Sequence, residues 1–393
     1  MSQTTTTIPR AIWVLGFVSM LMDISSEMIH SLLPMFMVGT LGISVLVVGL
    51  IDGLAESTTL FVKVFSGVWS DRLGKRKGLA VFGYGLSALT KPLFALSQGM
   101  GLLLTARLMD RIGKGIRGAP RDALIADITP AGIRGAAFGL RQTLDTIGAF
   151  AGPLLATVLM LLWANDYRRV FWLAVIPGLL ATGLLIFGVH EPKTSAAKTA
   201  INPISRQNLQ RLGASYWWVV VVGGVFTLAR FSETFLILRA QQLSIPVAWV
   251  PLIMVAMNLV YAASAYPFGK LSDRVSHSSL LASGLVVLIA SDLILAHNSS
   301  WTGLFAGVAL WGVHMGMTQG LLASMVAATA PADLRGTAFG FFNLISGAGL
   351  LLASLVAGLL WDQLGAAFTF YAGAGFAVLT LIGVLLFPRK YQV

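Results

Sequence analysis

The 393-residue chain contains no cysteine, so disulfides, thiolate metal sites and cysteine nucleophiles are excluded, and cysteine usage leaves the redox compartment undetermined. Charge is scarce as well. Asp, Glu, Lys and Arg supply 11% of the residues, against about 25% in an average soluble domain, which excludes an ordinary cytosolic enzyme. Acids are the scarcer sign, 16 against 27 bases, for a formal net charge of +11. Only one long polar segment interrupts the chain, between His190 and Ser215. No nucleophile–base set, metal-ligand cluster or nucleotide loop is visible, and Gly113-Lys114-Gly115 lacks the spacing of a phosphate-binding loop. The reading is therefore of a protein that is no enzyme and holds no cofactor or metal.

Apolar residues are what the chain has in plenty. They make up 56% of it, alongside 42 glycines and 14 prolines, a composition suited to closely packed, locally broken membrane helices. A basic excess signals nucleic-acid binding when bases cluster on a soluble face; here they punctuate apolar runs, and no nucleic-acid partner is expected. Stretches able to cross a hydrocarbon layer of roughly 30 Å, about 20 residues each, are predicted at about 11–38, 46–69, 78–98, 101–125, 135–163, 169–188, 216–240, 247–269, 278–297, 300–327, 335–361 and 365–387. The fold expected is an all-α membrane protein of twelve transmembrane helices, with a six-helix bundle at 1–189, a linker at 190–215 and a second six-helix bundle at 216–393. The polar start MSQTTTTIPR leads into an apolar helix carrying Asp23, with no small-residue cleavage pattern, so the first helix is expected to stay as an anchor. Fifteen Lys and Arg fall in one alternating set of connections and termini, against Arg168, Arg169 and Arg239 in the other. The positive-inside rule then places both termini and the linker in the cytoplasm, in a multi-pass protein of the cell inner membrane.

The loops repeat. Gly67-Val-Trp-Ser-Asp71-Arg72 recurs as Gly269-Lys-Leu-Ser-Asp273-Arg274, and Thr129-Pro-Ala-Gly-Ile-Arg134-Gly135 recurs as Ala330-Pro-Ala-Asp-Leu-Arg335-Gly336, at offsets of 202 and 201. Two matches at nearly one offset mark parallel repeats of six helices. The first copy, continuing through Leu-Gly74-Lys75-Arg76-Lys77, is similar to the G-x-x-x-D-R-x-G-[RK]-[RK]-[RK] loop signature of the major facilitator superfamily of secondary transporters, and the resemblance covers essentially the whole chain. The second copy departs from the signature at Ser276 and His277. Helix 5 contains Gly148-Ala-Phe-Ala-Gly152-Pro153, which looks like the G-x-x-x-G-P core of the motif carried by the superfamily's drug and proton antiporters, with Ala156 and Thr157 in place of two further glycines. Arg111-Ile-Gly113-Lys114-Gly115 loosely resembles the family's R-x-x-Q-G motif, with Lys114 replacing Gln. The resemblance implies two bundles about a central cavity and transport by alternating access. It also implies a cytoplasmic gate in which Asp71 faces the helix start at Arg335, where the helix dipole favours an acid, and Arg72 or Arg76 faces Asp122 or Asp127; Asp273 and Arg274 are the corresponding pair of the second copy.

Ionisable groups inside spanning helices cost roughly 2.5–3.5 kcal/mol each at the centre on insertion scales, so they face a cavity or one another. They concentrate in the first half. Asp23, Glu27 and His30 share one face of helix 1 by their spacing; Asp23 and Glu27 are the candidate proton-coupling acids, the alternative being that bases of helices 4 and 5 hold them to permit burial. The candidate cavity and substrate residues are His30, Glu56, Arg107, Asp110, Arg111, Lys114 and Asp145. A second reading has Glu56 and Lys63 on helix 2 neutralising each other across two turns. Arg141 and Asp145 form an i, i+4 pair leading into the Gly148/Gly152 face. In the second half Arg230 and Glu233 are expected to pair, while Asp292 stands alone. The function expected is proton-driven export of small amphiphilic or organic molecules. A proton symporter importing a polar metabolite, or a non-transporting receptor on the same scaffold, stays open. The partners expected are a small-molecule substrate, protons and the lipid bilayer, with the protein a monomer.

Overall fold

The computed structural model describes residues 7–73, 75–191, 206–272, 274–318, 320–331 and 334–386, with 71–73, 131 and 206–207 described in backbone only. Among the described residues all regular structure is helical. Helix α1 (Arg10–His30) continues through one turn at Leu33–Met35 into a π-helical turn, Phe36–Thr40; Pro34 has no N–H to give and breaks the ladder there. Next come α2 (Val45–Leu73), α3 (Arg76–Leu96), α4 (Met100–Ile128), α5 (Arg134–Leu162) and α6 (Tyr167–Gly188). The second half contains α7 (Ala214–Ala229), α8 (Thr234–Gln242), α9 (Leu252–Ser272), α10 (His277–His297), α11 (Trp301–Thr318), α12 (Leu321–Thr329), α13 (Arg335–Leu364) and α14 (Ala366–Leu386). Among the described residues ten helical stretches are long and apolar enough to cross a membrane. Helix α4 is also long enough, 29 residues at 1.5 Å of rise each, about 43 Å, but it carries the charges described below.

Two further predicted spans are broken. The stretch predicted at 216–240 divides into α7 and α8 around Arg230–Glu233, and the one at 300–327 divides into α11 and α12. At the second break Gly320 takes φ +78°, a conformation open to glycine at no steric cost.

Two compact units result: Met1–Leu32 with Phe61–Ile201, and Leu33–Leu60 with Asn202–Val393. In the first, α1 packs on α5 and α6, and α3 packs on α4 and α6. In the second, α10 packs on α11 and α14, and α9 on α11. The residues 33–60 are anchored in the second unit by Ser57 Oγ donating to Gly347 O at 2.7 Å, Leu46 N donating to Asp362 Oδ2 at 2.9 Å, and Asp52 accepting from Ser232 and Thr234.

The distribution of side chains is inverted relative to a soluble protein. Leu162, Phe187, Leu385 and Leu386 stand exposed, while Lys91, Arg107, Asp110, Arg111, Arg117 and Asp292 are buried. An apolar exterior with charge inside suits a hydrocarbon solvent.

Candidate functional site

The site in the first unit is built on the crossing of α1 and α5. A Cβ placed at Gly148 would lie 2.5 Å from Met20 O and 3.0 Å from Asp23 Cβ, and one at Gly152 would lie 2.7 Å from Glu27 Cβ. No side chain fits at either position. The two glycines, one turn apart on α5, therefore seat directly on Asp23 and Glu27, one turn apart on α1. Pro153 is buried beside them within α5.

A network of polar groups extends from that crossing across α1, α3, α4 and α5. The Asp23 carboxyl is within hydrogen-bonding reach of Asp145, with Lys114 and Arg117 of α4 as its basic neighbours. Asp145 accepts from Arg141 Nη2 at 2.7 Å. Glu27 Oε1 lies 3.5 Å from His30 Nδ1, and Arg111 Nη2 donates to the His30 ring at 2.7–2.9 Å. That bond requires the ring nitrogen it meets to be the acceptor. Asp110 Oδ2 is 3.8 Å from His30 Nε2, and Lys91 Nζ donates to Asp110 Oδ1 at 2.9 Å and to Ser26 Oγ at 3.0 Å. Arg117 donates to Ser87 Oγ at 2.8 Å and lies over the Tyr84 ring at 4.6 Å. Arg121 reaches Asp122 at 3.0 Å and Ser19 Oγ at 3.2 Å. Arg107 is buried one turn from Arg111 on α4.

The structure thus brings Asp23, Glu27, His30, Asp110, Arg111, Lys114 and Asp145 into one network. Glu56 lies half-buried on α2 in the second unit, and Lys63 reaches Gly118 of α4, its Cε 4.0 Å from where a Cβ would stand. The hydroxyls of Ser19, Ser26, Ser87 and Tyr84 are functional neighbours that charge counting missed. Ser19, Asp23, Ser26 and His30 recur at steps of four, three and four, the only sequence signal that could have found the first two. Among the described residues no three carboxylate or imidazole side chains converge as metal ligands.

At the far end of α3 and α4, Arg76 Nη1 pairs with Asp127 Oδ2 at 2.7 Å and donates to Ala123 O at 2.8 Å. Arg121 and Asp122 pair with each other locally. A Cβ placed at Gly67 would lie 3.6 Å from Ala119 Cβ. Gly74 and Asp273 lie outside the described residues, as do the side chains of Asp71 and Arg72. Arg335 opens α13 and Arg274 lies in the turn after α9, both exposed. Ser276, the departure in the second loop copy, caps α10 by accepting from Ser279 N at 3.1 Å, so a helix cap stands where the first copy has glycine.

The second unit has a different character. Asp292 of α10 is fully buried, and neither carboxylate oxygen has a hydrogen-bond partner among the described residues. His314 of α11 is a buried core residue, its Nδ1 2.8 Å from Gly284 O. The Arg230 guanidinium lies over the Phe226 ring at 5.8 Å.

A family model described as Major Facilitator Superfamily matches residues 15–246 and 219–393. An uncharacterized MFS-type transporter of Methanocaldococcus jannaschii is 33% identical over 388 residues, which span 96% of this chain and 94% of that one. A probable sugar efflux transporter of Helicobacter pylori is 24% identical, over 86% of this chain and 88% of its own. Among solved structures, a POT family transporter in complex with 5-aminolevulinic acid superposes with a TM-score of 0.81 at 14% identity, covering 98% of this chain and 97% of that one; it shares the fold.

Proposed function

This chain belongs to the Major Facilitator Superfamily, and from that premise we propose that it exports small amphiphilic or organic molecules in exchange for protons. It is a multi-pass membrane transporter and not an enzyme. The observation that carries the proposal is the seat of Gly148 and Gly152 on the acid-bearing turns of α1. The helix 5 motif and the candidate coupling acids are two sides of one contact, so a change in protonation at Asp23 is felt where α1 and α5 touch. Asp23 faces Asp145 and Arg141 from α5, and Lys114 and Arg117 from α4. A proton on one carboxyl leaves the other for Arg141, and its release returns Asp23 to the α4 bases.

Export is favoured by the antiporter-like motif and by the Helicobacter pylori relative, a probable sugar efflux transporter. Twelve spans in two halves, 1–189 and 216–393, with both termini cytoplasmic in the inner membrane, complete the reading. In this reading the Arg76–Asp127 pair belongs to the cytoplasmic gate.

The test is uptake of a mixed panel of drugs and metabolites by inverted vesicles, read by mass spectrometry with the pH gradient imposed or collapsed. The gradient should raise uptake of the transported compound at least about tenfold, a loss of some 1.4 kcal/mol in driving free energy when it is collapsed. Asp23→Asn and Asp145→Asn should abolish that dependence. Uptake indifferent to the gradient and unchanged in both variants overturns proton coupling, and accumulation in whole cells overturns export.

A further inference from the structure

We propose that Asp292, with Phe231 and Trp311, forms a binding site for the cationic end of the exported substrate. This rests on the export reading above. In the first unit the acids of the helices sit among bases: Asp110 with Lys91, Asp122 with Arg121, Asp145 with Arg141, and Asp23 beside Lys114 and Arg117. Asp292 has none. Helices α11 and α14, on which α10 packs, contain no Asp, Glu, Lys or Arg, and their one imidazole, His314, is engaged with Gly284. The nearby link between α7 and α8 holds Arg230, which lies over Phe226, and Glu233.

Aromatic rings stand where a base would. A Cβ at Gly373 would lie 2.7 Å from Asp292 Oδ2 and 2.8 Å from Phe231 Cε1, so the carboxylate and the ring flank the same point, which only a glycine leaves open. Phe231 meets Trp311, Phe235 and Phe370 with ring centroids 5.4, 5.5 and 5.7 Å away. Ser291, next to Asp292, donates to Gly307 O at 2.7 Å, which holds this part of α10 against α11, the helix that carries Trp311. The buried Trp311 Nε1 is a second polar atom with no hydrogen-bond partner among the described residues.

A lone carboxylate ringed by π faces is the chemistry that holds an ammonium group, by charge pairing and by cation–π attraction. Phe231 lies in the non-helical link between α7 and α8, and broken helices of this kind line transporter sites. A proton and an organic cation exclude each other at one carboxylate, so cation binding weakens as the pH falls.

The test is thermal unfolding of the purified full chain with probes of one shape and different charge: benzyltrimethylammonium, benzylamine, benzyl alcohol and benzoate. The two cations should raise the midpoint by several degrees at millimolar concentration, less so as the pH is lowered, while the alcohol and benzoate should not. Asp292→Asn should abolish the cation response, and Phe231→Leu should weaken it at least about threefold in apparent affinity; the second variant decides the matter if the first does not fold. An equal response to benzyl alcohol or benzoate, no response to either cation, or an undiminished response in the variants overturns the assignment. Because binding is read without transport, its failure leaves the vesicle result standing, and loss of proton coupling through Asp23 leaves the cation response standing.

Discussion

Lys91 is fully buried on α3, and its ammonium group is held by Asp110 and Ser26. Removing one partner from such a pair strands a charge in a medium that cannot solvate it. Lys91→Met should therefore destabilise the protein by about 3–5 kcal/mol, and Lys91→Met with Asp110→Leu should recover most of that loss, read by denaturant unfolding in detergent. Residues 91 and 110 belong to different helices, and sequence spacing had no means of pairing them. Arg141–Asp145 was legible because four residues make one helical turn. Lys63 of α2 reaches Gly118 on α4, a neighbour that spacing along α2 had no means of naming. A flexible four-carbon stem chooses its neighbour in space.

At the scale of elements, small residues set how closely helices approach. Gly152→Leu should destabilise the protein by about 1–3 kcal/mol through overpacking and uncouple transport from the pH gradient, because α5 must lift from α1. Gly139→Leu, on the same helix where a side chain meets nothing within 4 Å, should do neither. Thermal midpoints and vesicle uptake of the two variants check this. The G-x-x-x-G-P spacing announced a tight crossing, but which helix lay against it, and that it lay against Asp23 and Glu27, needed the packing. The breaks at Arg230–Glu233 and at Gly320 escaped the apolar pattern because hydropathy counts side chains and is indifferent to backbone hydrogen bonding.

For the whole molecule, the absence of cysteine becomes an experimental convenience. Single cysteines can be introduced without removing any native thiol. The proposed cytoplasmic placement of both termini predicts that Arg169→Cys in intact cells reacts with a membrane-impermeant maleimide and that Lys270→Cys reacts only after permeabilisation. Both positions are exposed. Labelling of both from one side would refute the topology drawn from basic residues.

The amino-acid sequence by itself determined the solvent, the helical class and the family, because these depend on sums over many residues: mean hydropathy, periodic apolar runs, and motifs repeated at one offset. It also marked nearly every charge of the candidate site. Only the tertiary structure decided which of those charges meet. Asp23 faces Asp145, Lys91 faces Asp110, Arg76 faces Asp127, and Asp292 faces aromatic rings. Partnership in a low-dielectric interior depends on a few ångströms between atoms of different helices, and that distance is a property of packing.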